Sequence, residues 1–299
     1  MRKINYGRLV TEQVNPRTRQ IDRVTVEQAL LLMAREDAGV PAAVLREKKN
    51  IARAVKLIVT ELKRGGRLFF AGAGTSGRLG VIEAAECPPT FNTPPSLVQA
   101  VMAGGKNAVF HSKEGAEDDA RNARKIFQER LRLHDVVVGV AASGVTPFVL
   151  GALQTARAKR LKTILVTCNK NLPVRNPADC VIAPVVGPEV ISGSTRLKAG
   201  TATKLVLNML TVLSMVQLGK VYENWMVDLQ PKSKKLQARA LRLLEHLGGV
   251  PQKSSGKIFL ESGKNVKTAI LMARAGLDAP SARQKLAASA GFLARALRS

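Results

Sequence analysis

The stretch RLFFAGAGTSGRLG, residues 67 to 80, decides the fold. An apolar run opens it, a glycine-rich turn follows, and a segment of helical character leaves the turn. Strand, turn and helix in that order aim backbone N–H groups and a helix dipole at a phosphate. Gly72, Gly74 and Gly77 satisfy the G-x-G-x-x-G spacing of dinucleotide-binding turns. Such sites also need an acidic residue about 20 positions further on to hold the ribose hydroxyls. From Cys87 to Lys113 there is no Asp or Glu. Thr75, Ser76 and Arg78 instead place side-chain donors in the turn, which suits a compact terminal phosphate.

Outward from this turn, buried strands are expected at Arg67 to Ala73, Leu97 to Ala103, Asp135 to Ala142 and Thr163 to Thr167, with a fifth at Cys180 to Val186. These runs are rich in Val, Ile, Leu and Ala without clean alternation, as in strands covered on both faces. Helices are expected between them at Arg78 to Glu86, Glu117 to Leu131 and Pro147 to Lys159. The alternation predicts an α/β fold, a doubly wound, parallel, five-stranded sheet flanked by helices. Upstream, Thr25 to Arg35 and Ala42 to Leu62 read as helices; downstream, Ser194 to Leu218 reads as one long helix and Lys232 to the end as several short ones. GGVPQKSSGK, from Gly248 to Lys257, reads as a boundary or mobile loop. The expected division is an N-terminal helical segment packing on the core (1–63), a central domain that carries the sheet and its phosphate-binding turn (64–230) and a small C-terminal helical domain (231–299).

Ligands of such sheets bind at the carboxyl ends of the strands. The strand DVVVGVAA ends in Ser143, Gly144, Val145, Thr146 and Pro147, a second hydroxyl-and-glycine turn ahead of a helix. Taken singly, Ser143 and Thr146 are equally well explained as helix N-caps. Two such loops after buried strands point to one shared phosphate. A third cluster, SGSTRLKAGT with Ser192, Ser194, Thr195, Arg196 and Lys198, either caps the long helix or adds sugar contacts. Acids are scarce, so Glu83, Glu86, Glu114, Glu117, Asp118 and Asp119 stand out near the loops. They either complement helix N-termini or move protons in a pocket.

Net charge is +25 over 299 residues, with 14 Lys and Arg against three acids after residue 231. Such basicity raises nucleic acid as a partner, but aromatic residues are only 4% of the chain, too few for base stacking. A solvated basic surface is the preferred reading, with no nucleic-acid partner. Leu205 to Gly219 is short and interrupted by Asn208, Thr211, Ser214 and Gln217, so a core helix is expected and no membrane association. The opening residues have no apolar leader pattern. Cys87, Cys168 and Cys180 are odd in number and lack metal spacing, consistent with a reducing cytoplasm and no metal site. Cys87 reads as packing and not as a nucleophile.

With these residues in hand, the chain resembles the N-acetylmuramic acid 6-phosphate etherases of the sugar isomerase (SIS) superfamily. The resemblance rests on LVTEQVNPRT, GAGTSGRLGVIEAAECPPTF, EGAEDD, DVVVGVAASGVTPFV, VVGPEVISGSTRLKAGTATKLVLNML and GKVYENWMVDLQ, and runs from about Leu9 to the C-terminus. It implies cleavage of a lactyl ether in amino-sugar recycling, by elimination and then hydration, with no cofactor and in a cytoplasmic homodimer. It places the catalytic acid on Glu86 and a second catalytic glutamate, the base, on Glu117. Thr75, Ser76, Gly77, Arg78, Ser143, Gly144, Thr146, Ser194, Thr195 and Lys198 are the expected phosphate and substrate ligands. Val145 and Phe148 depart from the family's ASGRTPY loop, and CNKN at Cys168 to Asn171 from its CNP or CNS. The competing readings are a non-catalytic sugar-phosphate sensor of the same superfamily and, behind it, a nucleic-acid-binding regulator.

Overall fold

The computed structural model describes residues 5–174, 177–231 and 233–298. The leader reading at residues 1–4 and the expected boundary at Lys232 lie partly outside them. Three short 3-10 turns at Tyr6–Arg8, Val10–Glu12 and Pro16–Thr18, with a fourth at Ile21–Arg23, precede helices α1 (Val26–Asp37), α2 (Val40–Arg46) and α3 (Lys48–Lys63). Strand β1 (Leu68–Gly72) leads into α4 (Gly74–Phe91), followed by β2 (Val98–Met102), α5 (Ala120–Arg130), β3 (Val136–Val140), α6 (Pro147–Ala158), β4 (Lys162–Val166) and β5 (Cys180–Ile182). Helices α7 (Lys198–Gln217), α8 (Lys234–Gly248), α9 (Gln252–Glu261), α10 (Val266–Ala275), α11 (Ala279–Ala288) and α12 (Leu293–Ala296) complete the chain.

Two compact units emerge, Met1–Ala85 with Ser96–Thr211, and Glu86–Pro95 with Val212–Ser299. In the first, the five strands are all parallel in the order β2-β1-β3-β4-β5. Residues 1–63 belong to this unit together with the sheet. Side chains alternate across each strand. Phe69, Val137 and Leu165 face α5 and α6 in one cluster, where Phe69 meets Phe127 edge-on at 6.3 Å between ring centroids. Each buried Phe contributes about 1.5–3 kcal/mol of burial free energy. Phe70, on the opposite face, packs against α4 at Gly80. Helices on both faces explain why the strands read as continuous apolar runs.

The expected strands are all present, four of them shorter than read and β4 of the same length but shifted by one residue; the helices needed more correction. The first begins at Gly74 and runs past Glu86 through Pro88 and Pro89 to Phe91, so Thr75 and Ser76 lie in its first turn and not in a preceding loop. Ala42 to Leu62 is two helices, broken at Glu47. Glu117 belongs to a 3-10 turn, Ala116–Asp118, ahead of α5, whose N-cap is Asp119. The long helix starts at Lys198, after the hydroxyl cluster. Its length and mean hydropathy of 1.4 would suffice for a membrane crossing, but over half of its most apolar window is buried in the protein. Ala199, Ala202, Val206, Leu207 and Leu210 are sealed inside, as a core helix requires.

In the second unit, α8 to α12 close on Leu243, Leu244, Phe259, Ile270 and Leu286. The stretch read as a loop is a tight connection: Gly249 ends α8 with φ +67°, and α9 starts at Gln252 behind Pro251. The helix termini here are capped by Ser233, Asn265 and Asp278, each side chain accepting a backbone N–H. A buried ionic cluster lies in the same unit. Lys220 and Lys267 both reach the carboxylate of Asp228 at 2.9 Å. The Lys267 ammonium also donates to the carbonyls of Gly219 and Gly291. Burial lowers the Lys267 pKa, against the pull of Asp228.

Candidate active site

The strand order reverses between β1 and β3: the chain leaves β1 toward β2 on one side and β3 toward β4 on the other. Loops leaving adjacent strands at such a point diverge and open a crevice at the carboxyl edge. Gly72 and Val140 are register partners at that edge, so the turns after them are neighbours. A cavity of about 360 Å³ lies there. Thr75 and Ser76 border it from the first turn of α4, Ser143 and Thr146 from the start of α6, and Glu117 and Asp118 from the 3-10 turn. Gly193 and Thr195, and Tyr6 and Glu12 of the N-terminal segment, complete the wall.

The first turn's glycines act by closeness. A Cβ on Gly72 would lie 2.7 Å from the Gly77 nitrogen, and one on Gly77 2.8 Å from the Gly72 carbonyl and 2.9 Å from Met102. Helix α4 therefore meets β1 backbone to backbone, and Gly77 serves that approach. In the second turn Gly144 has φ +76°, and a Cβ there would lie 2.4 Å from Leu172. Thr146 occupies the N-cap of α6, yet its hydroxyl caps nothing. It lies 3.5 Å from the Ser143 hydroxyl, which accepts the Val145 N–H at 3.3 Å. A threonine at an N-cap whose hydroxyl meets another hydroxyl and no backbone N–H borders the crevice, and the simple capping account does not hold for it.

A residue not singled out from the sequence, Asn169, fastens this turn. Buried to 2% exposure, its amide donates to the carbonyls of Ala142 (2.9 Å) and Ser143 (3.3 Å) and to the Thr11 hydroxyl (3.2 Å). Its oxygen accepts the Val10 N–H at 2.7 Å. Glu189 was also missed. It is fully buried and accepts the N–H groups of Lys198 and Ala199 at 3.0 and 2.8 Å, capping α7 from nine residues upstream. Burial pushes its carboxyl up, against those two bonds. A lone acid beside a hydroxyl cluster in a basic chain was the available signal.

The expected ligands do not all line this cavity. Lys198 is buried, with its ammonium 2.5 Å from Glu36, which also takes the Arg17 guanidinium and the Asn15 amide. The structure thus gives Lys198 an internal counter-ion in place of a substrate. Ser194 is half-buried and does not line the cavity, unlike Gly193 and Thr195. Arg78 donates to the carbonyls of Val109 (2.7 Å) and Ala108 (2.9 Å) and borders a second cavity, of about 200 Å³, with Lys113, Glu114 and Glu117. Glu83 is committed as well, accepting from Asn208 and Thr211 of α7. Val145 and Phe148 are buried.

Glu117 alone among the acids expected to be catalytic borders the larger cavity. Partial burial raises its carboxyl above the ordinary value, and the charges of Asp118 and Glu114 push the same way. A carboxylate held this way is a stronger base than one free in water. Glu86 is exposed and belongs to the second unit. Among the described residues no three His, Cys, Asp or Glu side chains gather as a metal centre would need.

Residues 50–157 match the family model of the glucokinase regulatory protein N-terminal SIS domain, and residues 121–213 that of the SIS domain. The chain is 48% identical over 291 residues to the N-acetylmuramic acid 6-phosphate etherase of Salinibacter ruber, covering 97% of this chain and 94% of that protein. The Rhizobium rhizogenes etherase is 47% identical, covering 97% and 94%. That of Clostridium acetobutylicum is 46% identical, covering 97% and 96%.

Proposed function

The chain belongs to the N-acetylmuramic acid 6-phosphate etherase family, and on that premise we propose how its residues carry the reaction. It is a carbon–oxygen lyase that cleaves the D-lactyl ether of N-acetylmuramic acid 6-phosphate, giving N-acetylglucosamine 6-phosphate and D-lactate. Identity of nearly half over nearly the whole chain favours a catalyst over a non-catalytic sensor. An ordinary alkyl ether has no easy leaving group. The open-chain aldehyde of the sugar acidifies the proton on C2, so a base can take that proton to give an enolate, from which the C3–O bond then breaks. An acid protonates the departing lactate oxygen, and water adds across the resulting C2=C3 double bond to restore the hydroxyl at C3.

Glu117 is the base in this scheme. The observation that carries it is its position on the crevice between two helix N-termini, with a proton affinity raised by burial and by neighbouring acids. Glu86 is the acid, assigned from the ECPPTF motif. Ser76, Ser143 and Thr146, with Thr75, hold the 6-phosphate at the N-termini of α4 and α6. An apolar stripe on α1, formed by Val26, Leu30 and Met33 with exposures of 80%, 62% and 40%, supports a homodimer. The absence of any disulfide among three buried cysteines accords with a cytoplasmic location.

Isotope exchange separates the two glutamates. In deuterated buffer, Glu117→Gln should lose both deuterium incorporation at C2 and D-lactate release. Glu86→Gln should keep exchange at C2 while losing lactate release. Exchange that survives in Glu117→Gln would remove it as the base. Joint replacement of Ser76 and Ser143 by Ala should raise KM by orders of magnitude, and an unchanged KM would discard the phosphate site.

A further inference from the structure

The substrate carries two anions, a phosphate and the lactyl carboxylate, and the first unit holds two adjoining cavities that share Ala73, Gly74 and Glu117. Their linings differ in kind. No Lys or Arg borders the larger one, whose donors are hydroxyls and N–H groups at two helix N-termini. The smaller one contains both cations, Arg78 and Lys113. Resting on the etherase reading above, we propose that the smaller cavity is the lactyl subsite, and that Arg78, assisted by Lys113, binds the lactyl carboxylate.

The chemistry of each lining sorts the anions. A phosphate has three equivalent oxygens and is satisfied by several single donors converging from helix ends. A carboxylate is planar and matches the planar fork of a guanidinium. Arg78 uses Nε and Nη2 on the carbonyls of Val109 and Ala108, which pins the side chain at the cavity wall. Its Nη1 makes no hydrogen bond among the described residues, and no ion pair among them involves Arg78 or Lys113. Glu114, also on this wall, takes the Ser112 hydroxyl at 3.2 Å and forms no ion pair with either cation among the described residues. The stem of Lys113 lies beside Gly104, and the residue is exposed. With phosphate in one cavity and lactate in the other, C2 and C3 of the sugar fall beside the carboxylate common to both, Glu117.

The test compares N-acetylmuramic acid 6-phosphate with its lactamide, identical except that the carboxylate is neutral. The unmodified protein should prefer the acid by roughly 10- to 100-fold in kcat/KM, the worth of a charge-assisted contact. Arg78→Met and Lys113→Met should each lower kcat/KM for the acid and leave the lactamide nearly unchanged, so that the preference shrinks. Binding of N-acetylglucosamine 6-phosphate, which has no lactyl group, should not move. An equal loss on both substrates, or an unchanged preference in the variants, overturns the assignment. The Lys113 side chain makes no hydrogen bond among the described residues, so Lys113→Met decides the question even if Arg78→Met disturbs the Ala108–Val109 backbone. Failure of the unmodified protein to release D-lactate from either substrate would sink the etherase reading itself. Release with unaltered selectivity would sink only the subsite.

Discussion

Replacing Glu36 by Gln should destabilise the sheet-containing unit by about 3–5 kcal/mol, because it leaves the Lys198 ammonium buried without a counter-charge. A second line of argument gives a similar figure. The Arg17 guanidinium first, then Lys198 and Asn15, hold the Glu36 carboxyl at about 2 against an ordinary 4.5, with burial opposing them. That difference corresponds to about 3 kcal/mol at neutral pH, an upper figure because Arg17 is exposed and its share is screened. The sign follows from the lowered value: the contribution is complete above about pH 4.5 and disappears as pH falls toward 2. The gap between the unmodified protein and Glu36→Gln should therefore be widest near pH 7 and close on acidification. Urea unfolding followed by far-ultraviolet circular dichroism is the suitable assay, since the single tryptophan, Trp225, lies in the other unit. Adding Lys198→Met should recover part of the loss, because the stranded charge goes with it. A cost below about 1 kcal/mol, a gap independent of pH, or a double variant weaker than Glu36→Gln would refute the reasoning.

Asp118→Asn removes one of the charges that raise the Glu117 carboxyl, so the acid limb of the kcat/KM profile should move to lower pH; an unmoved limb would separate Glu117 from the rate. Gly144→Ala forces a side chain into a positive φ and against Leu172. It should cost about 1–2 kcal/mol in thermal unfolding and raise KM for the phosphorylated substrate, whereas normal values for both would mean that the turn is not held as described. Cys168 is buried, and burial, with the charge of Glu189, pushes its thiol up to about 12. It should resist alkylation in the native protein and react once urea unfolds the chain, as peptide mapping would reveal.

The sheet was legible because its strands are buried on both faces, which writes the same signal, an unbroken apolar run, at each one. The two glycine-and-hydroxyl turns were legible for a related reason, since a strand that ends in glycine and hydroxyl residues before a helix leaves few structural options. Helix ends were harder. Gly74 and the Pro88–Pro89 pair suggest breaks by local propensity, yet the helix starts at Gly74 itself and runs on through both prolines. Glycine, proline and serine between Gly248 and Lys257 suggested a loop, but Gly249 and Pro251 instead stop one helix and start the next. The hydroxyl cluster ahead of Lys198 suggests a ligand at that position. The partner of Lys198, Glu36, lies 162 residues away in the chain, and no local pattern announces such a pair. The role of Asn169 is as hard to read locally, since its side-chain partners Val10, Thr11, Ala142 and Ser143 are all distant in the chain.

The fastening of the crevice by the N-terminal segment also bears on how the protein matures. Val10 joins Asn169 across 159 residues, Thr18 joins Val190 across 172, and Glu36 joins Lys198 across 162. Contacts this distant in sequence are slow to form, since a long chain closure must precede any gain from them. The sheet, whose widest-spaced neighbouring pair is 68 residues apart (Leu68 and Val136), can assemble first. Competence then lags behind folding: after dilution from denaturant, secondary structure should return before lactate release does. Proteolytic loss of the residues up to Thr18 would leave a sheet that still folds around an unfinished pocket.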